Sequence, residues 1–258
     1  CLSSEMYSLT EDERLELTSF IVKSVDGRVP IVATGSFGLT IEDKAIFAKK
    51  IYETGIDAVI LITGHFANIE DSDEILIQNF NRILALCPDI PFGLYECPAP
   101  YKRILSANVF KTLVASGRFI LKESGNTNFE FFDAHTPNTS FVMRNNGKGM
   151  SAISGNFYPE ILVWMVNNAA NPALKQQVDW LQNELIQVDP LIHVAYPMSA
   201  KYFLTKRGLP IRTISRAHVL ELTPSQKETL NEIYERFLGW CDKLGIEKVN
   251  IESIAAPK

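Results

Sequence analysis

Short continuous apolar runs alternate with amphipathic stretches along this chain, at a spacing of roughly 25 residues. The stretch from Thr10 to Gly27 reads as a helix, with Thr10 as its cap, acidic residues in the first turn, and Leu15, Leu17, Phe20, Ile21 and Val25 as the apolar stripe. The run 29–35 (VPIVATG) reads as a buried strand, and a second helix follows from Thr40 to Gly55. The strand 57–63 (DAVILIT) leads through Gly64-His65-Phe66 to a helix over 71–86. The run 90–95 (IPFGLY) precedes a proline-rich loop and a helix over 106–117. Three more apolar runs follow at 119–123, 131–135 and 149–154, the last two with helical sequence after them. From about Asn171 the pattern becomes helical only: one helix carries Trp180, Leu181, Leu185 and Ile186. Another carries Tyr202, Phe203 and Leu204 and is ended by Gly208-Leu209-Pro210. A long last helix runs from Pro224 to Leu244, capped by Thr223.

Strands that are apolar throughout, instead of alternating, are buried on both faces, as parallel sheets under helices require. A (β/α)8 barrel and an open doubly wound sheet both satisfy this. No GxGxxG follows the first strand and no phosphate-binding loop is present, so the barrel is the expected fold. Residues 1–170 are assigned to it, and 171–258 to a C-terminal helical extension packed on it.

Composition narrows the function. The chain has 258 residues, 46% hydrophobic and 21% charged, with a formal charge of −5, which is the profile of a soluble globular protein without a basic face for nucleic acid. Cys1, Cys87, Cys97 and Cys241 form neither a CxxC pair nor a disulfide framework, so a reducing cytoplasmic setting is expected. The apolar runs are too short for a membrane span, and the N-terminal sequence does not read as a signal peptide.

In a barrel of this kind the reactive groups lie at the C-terminal ends of strands. Those ends carry Ser3, Ser4 and Glu5; Thr34 and Gly35; Thr63 and His65; then Tyr95, Lys122, His135, and Ser154 with Asn156. Lys122 follows an apolar wall directly. It is either a desolvated amine able to attack a carbonyl carbon, or a strand-end lysine that reaches solvent or pairs with Glu123. Tyr95 holds the matching position one strand earlier, either as a proton-transfer phenol or as a core tyrosine with a satisfied hydroxyl. His65 and His135 are read as ordinary loop histidines, with substrate binding or acid–base work as the alternative. Asp133-x-His135 has no third ligand in sight, so no metal and no cofactor are expected.

Several segments resemble the dihydrodipicolinate synthase / N-acetylneuraminate lyase family of Schiff-base aldolases. These are FGLYECPAPYKR followed by RFILKES, CLSSEMYSLTEDER, GKGMSAISGNFYPE, and MSAKYFLTKRGLP with LTPSQKETL. The resemblance implies a (β/α)8 barrel that assembles as a homo-oligomer, a tetramer or dimer. It implies a Schiff base between Lys122 and the carbonyl of pyruvate or another 2-oxo acid, with Tyr95 as proton shuttle and Ser3 and Ser4 on the substrate carboxylate. Ser124 matches a position where sugar-acid lyases of the family carry a substrate-binding threonine. Pro100 stands where the synthase has an arginine, and His65 and Phe66 stand where it supplies a relay tyrosine, departures that argue against dihydrodipicolinate synthase activity itself.

The expected function is therefore a lyase, aldolase or dehydratase acting on a 2-oxo acid, possibly a 2-oxo sugar acid. A barrel that binds a sugar acid without turning it over, and a metal-dependent barrel enzyme, are the alternatives. A barrel takes about 250 residues, more than the stretch before residue 171 provides. The first βα unit, and a sixth helix between Lys122 and Phe131, are accordingly expected to be missing from this sequence, with CLSSE an active-site strand.

Overall fold

The computed structural model describes residues 2–121, 132–217 and 221–249. The chain forms two compact units, Cys1–Glu130 and Phe131–Lys258.

In the first unit three sequence-local devices start the helices. Helix α1 (Glu11–Val25) and helix α2 (Ile41–Tyr52) each begin with a complete capping box, Thr10 with Glu13 and Thr40 with Asp43, in which side chains and backbone N–H groups satisfy each other reciprocally. Helix α4 (Ala107–Ala115) is capped by the Ser106 hydroxyl. Between these helices and α3 (Asp73–Leu86) run β1 (Val32–Thr34), β2 (Ala58–Ile62), β3 (Phe92–Tyr95) and β4 (Phe119–Leu121). They pair in parallel in the order β1-β2-β3-β4. Every residue of β2 is buried, as its unbroken apolar sequence requires. Leu76, Phe80, Ile83 and Leu84 recur at helical spacing on α3 and fill the core against Phe66, Phe92 and Phe119.

Two expectations change here. Leu2–Ser4 and Met6–Ser8 are 3-10 turns, so CLSSE is not a strand at the described positions. The stripe assigned to α1 is also largely outside the core: Leu17, Phe20 and Ile21 are exposed, while Leu15 and Val22 pack against it. Apolar periodicity identifies a helix face, and only tertiary packing decides how much of that face is covered.

In the second unit β5 (Phe132–Asp133) and β6 (Gly149–Met150) pair in parallel. Helices α5 (Thr139–Arg144), α6 (Pro159–Asn168), α7 (Lys175–Ile192), α8 (Met198–Lys206) and α9 (Pro224–Leu244) surround a core of Phe157, Tyr158, Phe203, Phe237 and Trp240. The helices after residue 171 thus share one core with α6. Helix α9 starts with the Thr223–Gln226 capping box and stops at Gly245, whose left-handed φ of 64° costs glycine little. The crossover over 123–130, Phe131 and the end of the tail lie outside the described residues. Among those described, no helix is long and apolar enough to cross a membrane.

Candidate active site at the C-terminal end of the first sheet

The strands of the first unit all point the same way, so the side chains beyond their C-terminal ends gather at one edge. Ile62 ends β2 directly opposite Tyr95, which ends β3. Tyr95 is half-buried and packs with Phe37 and Ala99 on a small cluster of Met6, Ile62 and Cys97. On the other side of Tyr95 the backbone of β4 runs to Leu121, which is paired with Gly93. Lys122 follows in sequence but lies outside the described residues, as does Ser124.

The chain after β1 makes the first turn of the site. Ser36 is fully buried, and its hydroxyl accepts the Ile62 N–H at 3.0 Å, replacing a ladder acceptor where β1 has already ended. The Ser36 carbonyl accepts from His65 Nδ1 at 2.7 Å, and the Ser36 hydroxyl also lies 3.1 Å from that nitrogen. His65 is thereby held at the end of β2 with Nε2 turned toward Tyr7, whose Oη is 2.9 Å away. Tyr7 Oη also donates to the Ala99 carbonyl at 2.8 Å. Burial is the main influence on both rings: it lowers the pKa of His65, assisted by the positive charge of Lys44, and raises that of Tyr7, assisted by the neighbouring Cys97 thiol.

Aromatic packing fixes this group. Tyr7, Phe37 and His65 meet edge to face with ring centroids 5.8–5.9 Å apart. The Arg14 guanidinium lies 3.8 Å from the Phe37 centroid and donates from Nε to the Met6 carbonyl at 2.8 Å. A cleft of about 380 Å³ opens beside Arg14 and Phe37, and one of about 130 Å³ is lined by Ser4, Met6, Arg14, Thr34 and Phe37. Lys44 is only 6% exposed and donates to the Gly38 and Leu39 carbonyls at 2.9 and 3.2 Å; its burial lowers its pKa.

The segment after β3 secures the loop after β2. Tyr101 Oη shares its one hydrogen between the carbonyls of Gly64 and Ala67, and Thr63 Oγ1 donates to the Arg103 carbonyl at 2.7 Å. Gly64 has to be glycine at this contact, because an added Cβ would stand 2.8 Å from the Tyr101 carbonyl oxygen. Arg103 is engaged in turn by the carbonyls of Ile69 and Asp71 and by Asp73.

Of the residues singled out from sequence, Thr34, Gly35, Thr63, His65 and Tyr95 are brought to this one edge. Ser3 and Ser4 lie on the exposed turn that leads into Met6 and Tyr7. His135 belongs to the second unit, where it is exposed and its N–H donates to Asp133 Oδ1 at 3.0 Å, an ordinary Asx turn. Ser154 is buried there against Thr136, 2.7 Å between hydroxyls, and Asn156 Nδ2 donates to Tyr196 Oη at 3.1 Å. Tyr7, Ser36 and Lys44 were not anticipated. Tyr7 and Ser36 stand one or two residues from segments already noted, at Glu5 and Gly35, and the signal that could have found them is their hydrogen-bonding side chains just past those candidate ends.

Comparison with known proteins gives a consistent result. The chain is 27% identical over 244 residues to the 4-hydroxy-tetrahydrodipicolinate synthase of Bacillus subtilis (strain 168), covering 89% of this chain and 82% of that protein. The Lactococcus lactis subsp. lactis enzyme of the same name is 24% identical over 245 residues, covering 90% of this chain and 81% of that protein. Among solved structures, YagE, an E. coli prophage protein of the dihydrodipicolinic acid synthase family crystallised with pyruvate, superposes with a TM-score of 0.77 at 19% identity, covering 92% of this chain and 85% of that one. CdNal of Clostridium difficile, crystallised with mannosamine, gives 0.76 at 16% identity, covering 90% and 83%. These likenesses place the chain in the (β/α)8 barrel fold class. The model of the dihydrodipicolinate synthetase family matches residues 1–236, nearly the whole sequence, and the chain belongs to that family.

Proposed function

We propose that this protein is a Schiff-base-forming lyase, aldolase or dehydratase acting on pyruvate or a related 2-oxo acid, with 2-oxo sugar acids within its range. The observation that carries the reading is the parallel pairing of β3 with β4, which sets Tyr95 at a strand end two residues beyond Gly93, the partner of Leu121; Lys122 comes next in sequence. In this reading the Lys122 amine adds to the 2-oxo carbon and water leaves, giving an iminium. The iminium draws in the electron pair released when a bond at the neighbouring carbon breaks. Tyr95 carries protons to and from the substrate, and the exposed hydroxyls of Ser3 and Ser4 are assigned to its carboxylate. Ser124 is assigned to a substrate hydroxyl.

The relatives named as synthases raise dihydrodipicolinate synthase chemistry as one member of this class. Pro100 and Phe66 supply neither the guanidinium nor the hydroxyl that the synthase uses at those places, so a different acceptor is favoured. The pyruvate in the YagE structure supports pyruvate as the test ligand. The protein is incubated with pyruvate, reduced with borohydride and weighed intact. A stable increment for one reduced pyruvate adduct is expected; an unchanged mass would rule the reading out.

A further inference from the structure

Neutral histidine has one nitrogen that donates and one that accepts, and the partners of His65 decide which is which. A carbonyl oxygen can only accept, so the 2.7 Å contact between Nδ1 and the Ser36 carbonyl puts the hydrogen on Nδ1. The lone pair is then on Nε2, aimed at Tyr7 Oη 2.9 Å away. Tyr7 has one hydrogen and two nitrogen or oxygen acceptors within reach, His65 Nε2 and the Ala99 carbonyl at 2.8 Å, and the Cys97 thiol is a further hydrogen-bond partner of the hydroxyl. With the ring neutral, that hydrogen serves one acceptor and leaves the other short. With the ring protonated, Nε2–H donates to Oη, Oη donates to Ala99, and Nδ1–H stays on Ser36. The same atoms therefore accommodate both protonation states without moving, whereas a purely structural tyrosine–histidine bond needs only one of them.

We propose that Tyr7 and His65 work as one acid–base pair, in which the Tyr7 hydroxyl exchanges protons at the substrate carbon next to the iminium and His65 Nε2 is the base behind it, with Tyr95 left to carry the protons of iminium formation and hydrolysis. The pair rests on the Schiff-base reading above and deepens it. A proton leaving the substrate passes to Tyr7 Oη as the phenol's own proton passes to Nε2. The imidazole then holds two protons and one positive charge, and the electron pair left on the substrate is held by the iminium. Reversal of the two transfers returns the proton to product.

The surroundings suit a proton that is held only briefly. The groups acting on the pair are the Cys97 thiol and Arg14 at Tyr7, and Lys44 at His65. Tyr95 packs against the small cluster of Met6, Ile62 and Cys97. None of these is a carboxylate that would trap an imidazolium, and burial together with Lys44 drives the proton back out. Tyr7 also keeps its phenol proton, since burial opposes the phenolate, so transfer through it has to be concerted. Tyr7 is 42% exposed, three residues beyond Ser4.

The test follows exchange of the pyruvate methyl protons with deuterium oxide by NMR, in the full chain and in Tyr7→Phe and His65→Gln. Borohydride trapping with pyruvate is run alongside. The pair predicts that both variants still form the trapped adduct but exchange about 10²-fold or more slowly, and that His65→Gln loses the acid limb of the exchange-versus-pH profile. Adduct formation with exchange within threefold of the parent in both variants would overturn the pair and leave the Schiff base standing. No adduct in the parent would overturn both. Nitrogen-15 NMR of the unaltered protein gives a readout that needs no variant: Nε2 is expected to be the bare nitrogen at neutral pH, and a hydrogen on Nε2 in the neutral ring would overturn the pair.

Discussion

Ser36→Ala separates the two jobs that the Ser36 side chain performs. In the folded protein its hydroxyl is the acceptor for the buried Ile62 N–H at 3.0 Å, and it also lies 3.1 Å from His65 Nδ1. Alanine removes that acceptor, and the fully buried position leaves no route for water to replace it. The expected loss is that of stranding one buried donor, about 1–3 kcal/mol. His65 keeps the Ser36 backbone carbonyl at 2.7 Å, so its tautomer is expected to survive. Urea unfolding of Ser36→Ala, His65→Gln and the double variant gives the measurement. If the Ile62 N–H is the main partner, Ser36→Ala costs the same with histidine or glutamine at 65. A loss under about 0.5 kcal/mol, below the range for a stranded donor, or one that vanishes in the glutamine background, would refute the assignment.

Other expectations follow from the same geometry. Arg207 and Glu160 form an ion pair with side chains 5% and 7% exposed, and Arg207 also donates to the Phe157 carbonyl at 2.7 Å. Arg207→Met is expected to cost about 3–5 kcal/mol by leaving a buried carboxylate unpaired, seen as a lower unfolding midpoint; a loss under about 1 kcal/mol would contradict this. Thr223→Ala removes the side chain that caps α9 and is expected to cost about 1 kcal/mol, with Thr223→Ser restoring most of it. His65 has its folded pKa depressed below the ordinary value of 6.5, so the unfolded chain binds the proton first. Its contribution to stability is complete above about pH 6.5 and declines as pH falls through the folded pKa. That part of the acid loss should be missing from His65→Gln, and superimposable pH–stability curves for the two proteins would count against it.

The parts of this protein written locally were legible in its sequence. Thr10 and Thr223 cap their helices where the pattern put them, and α2 starts directly after Thr40; in the structure each of the three also finds its capping-box partner three residues on. The run AVILI could only be an interior parallel strand, and it is one. The α1 stripe misled because periodicity reports a face and not its cover, and Leu17, Phe20 and Ile21 stay exposed. The His65 group was harder still. Tyr7 reaches His65 across 58 positions and Ala99 across 92, and such pairings depend on how strands are ordered in space. Ser36 was passed over because a serine one residue beyond a glycine reads as an ordinary turn until Ile62 and His65 are brought to it.

The central claim is that Lys122 is the amine that meets the substrate carbonyl, and this chain contains a serious rival. Lys44 is buried, its pKa is lowered by that burial, and it lies near enough to His65 to influence it. Borohydride reduction in the presence of pyruvate, followed by digestion and mass mapping of the modified peptide, decides between them. The account predicts the reduced adduct on Lys122, and none in Lys122→Ala. An adduct on Lys44, or one that persists in Lys122→Ala, would contradict it.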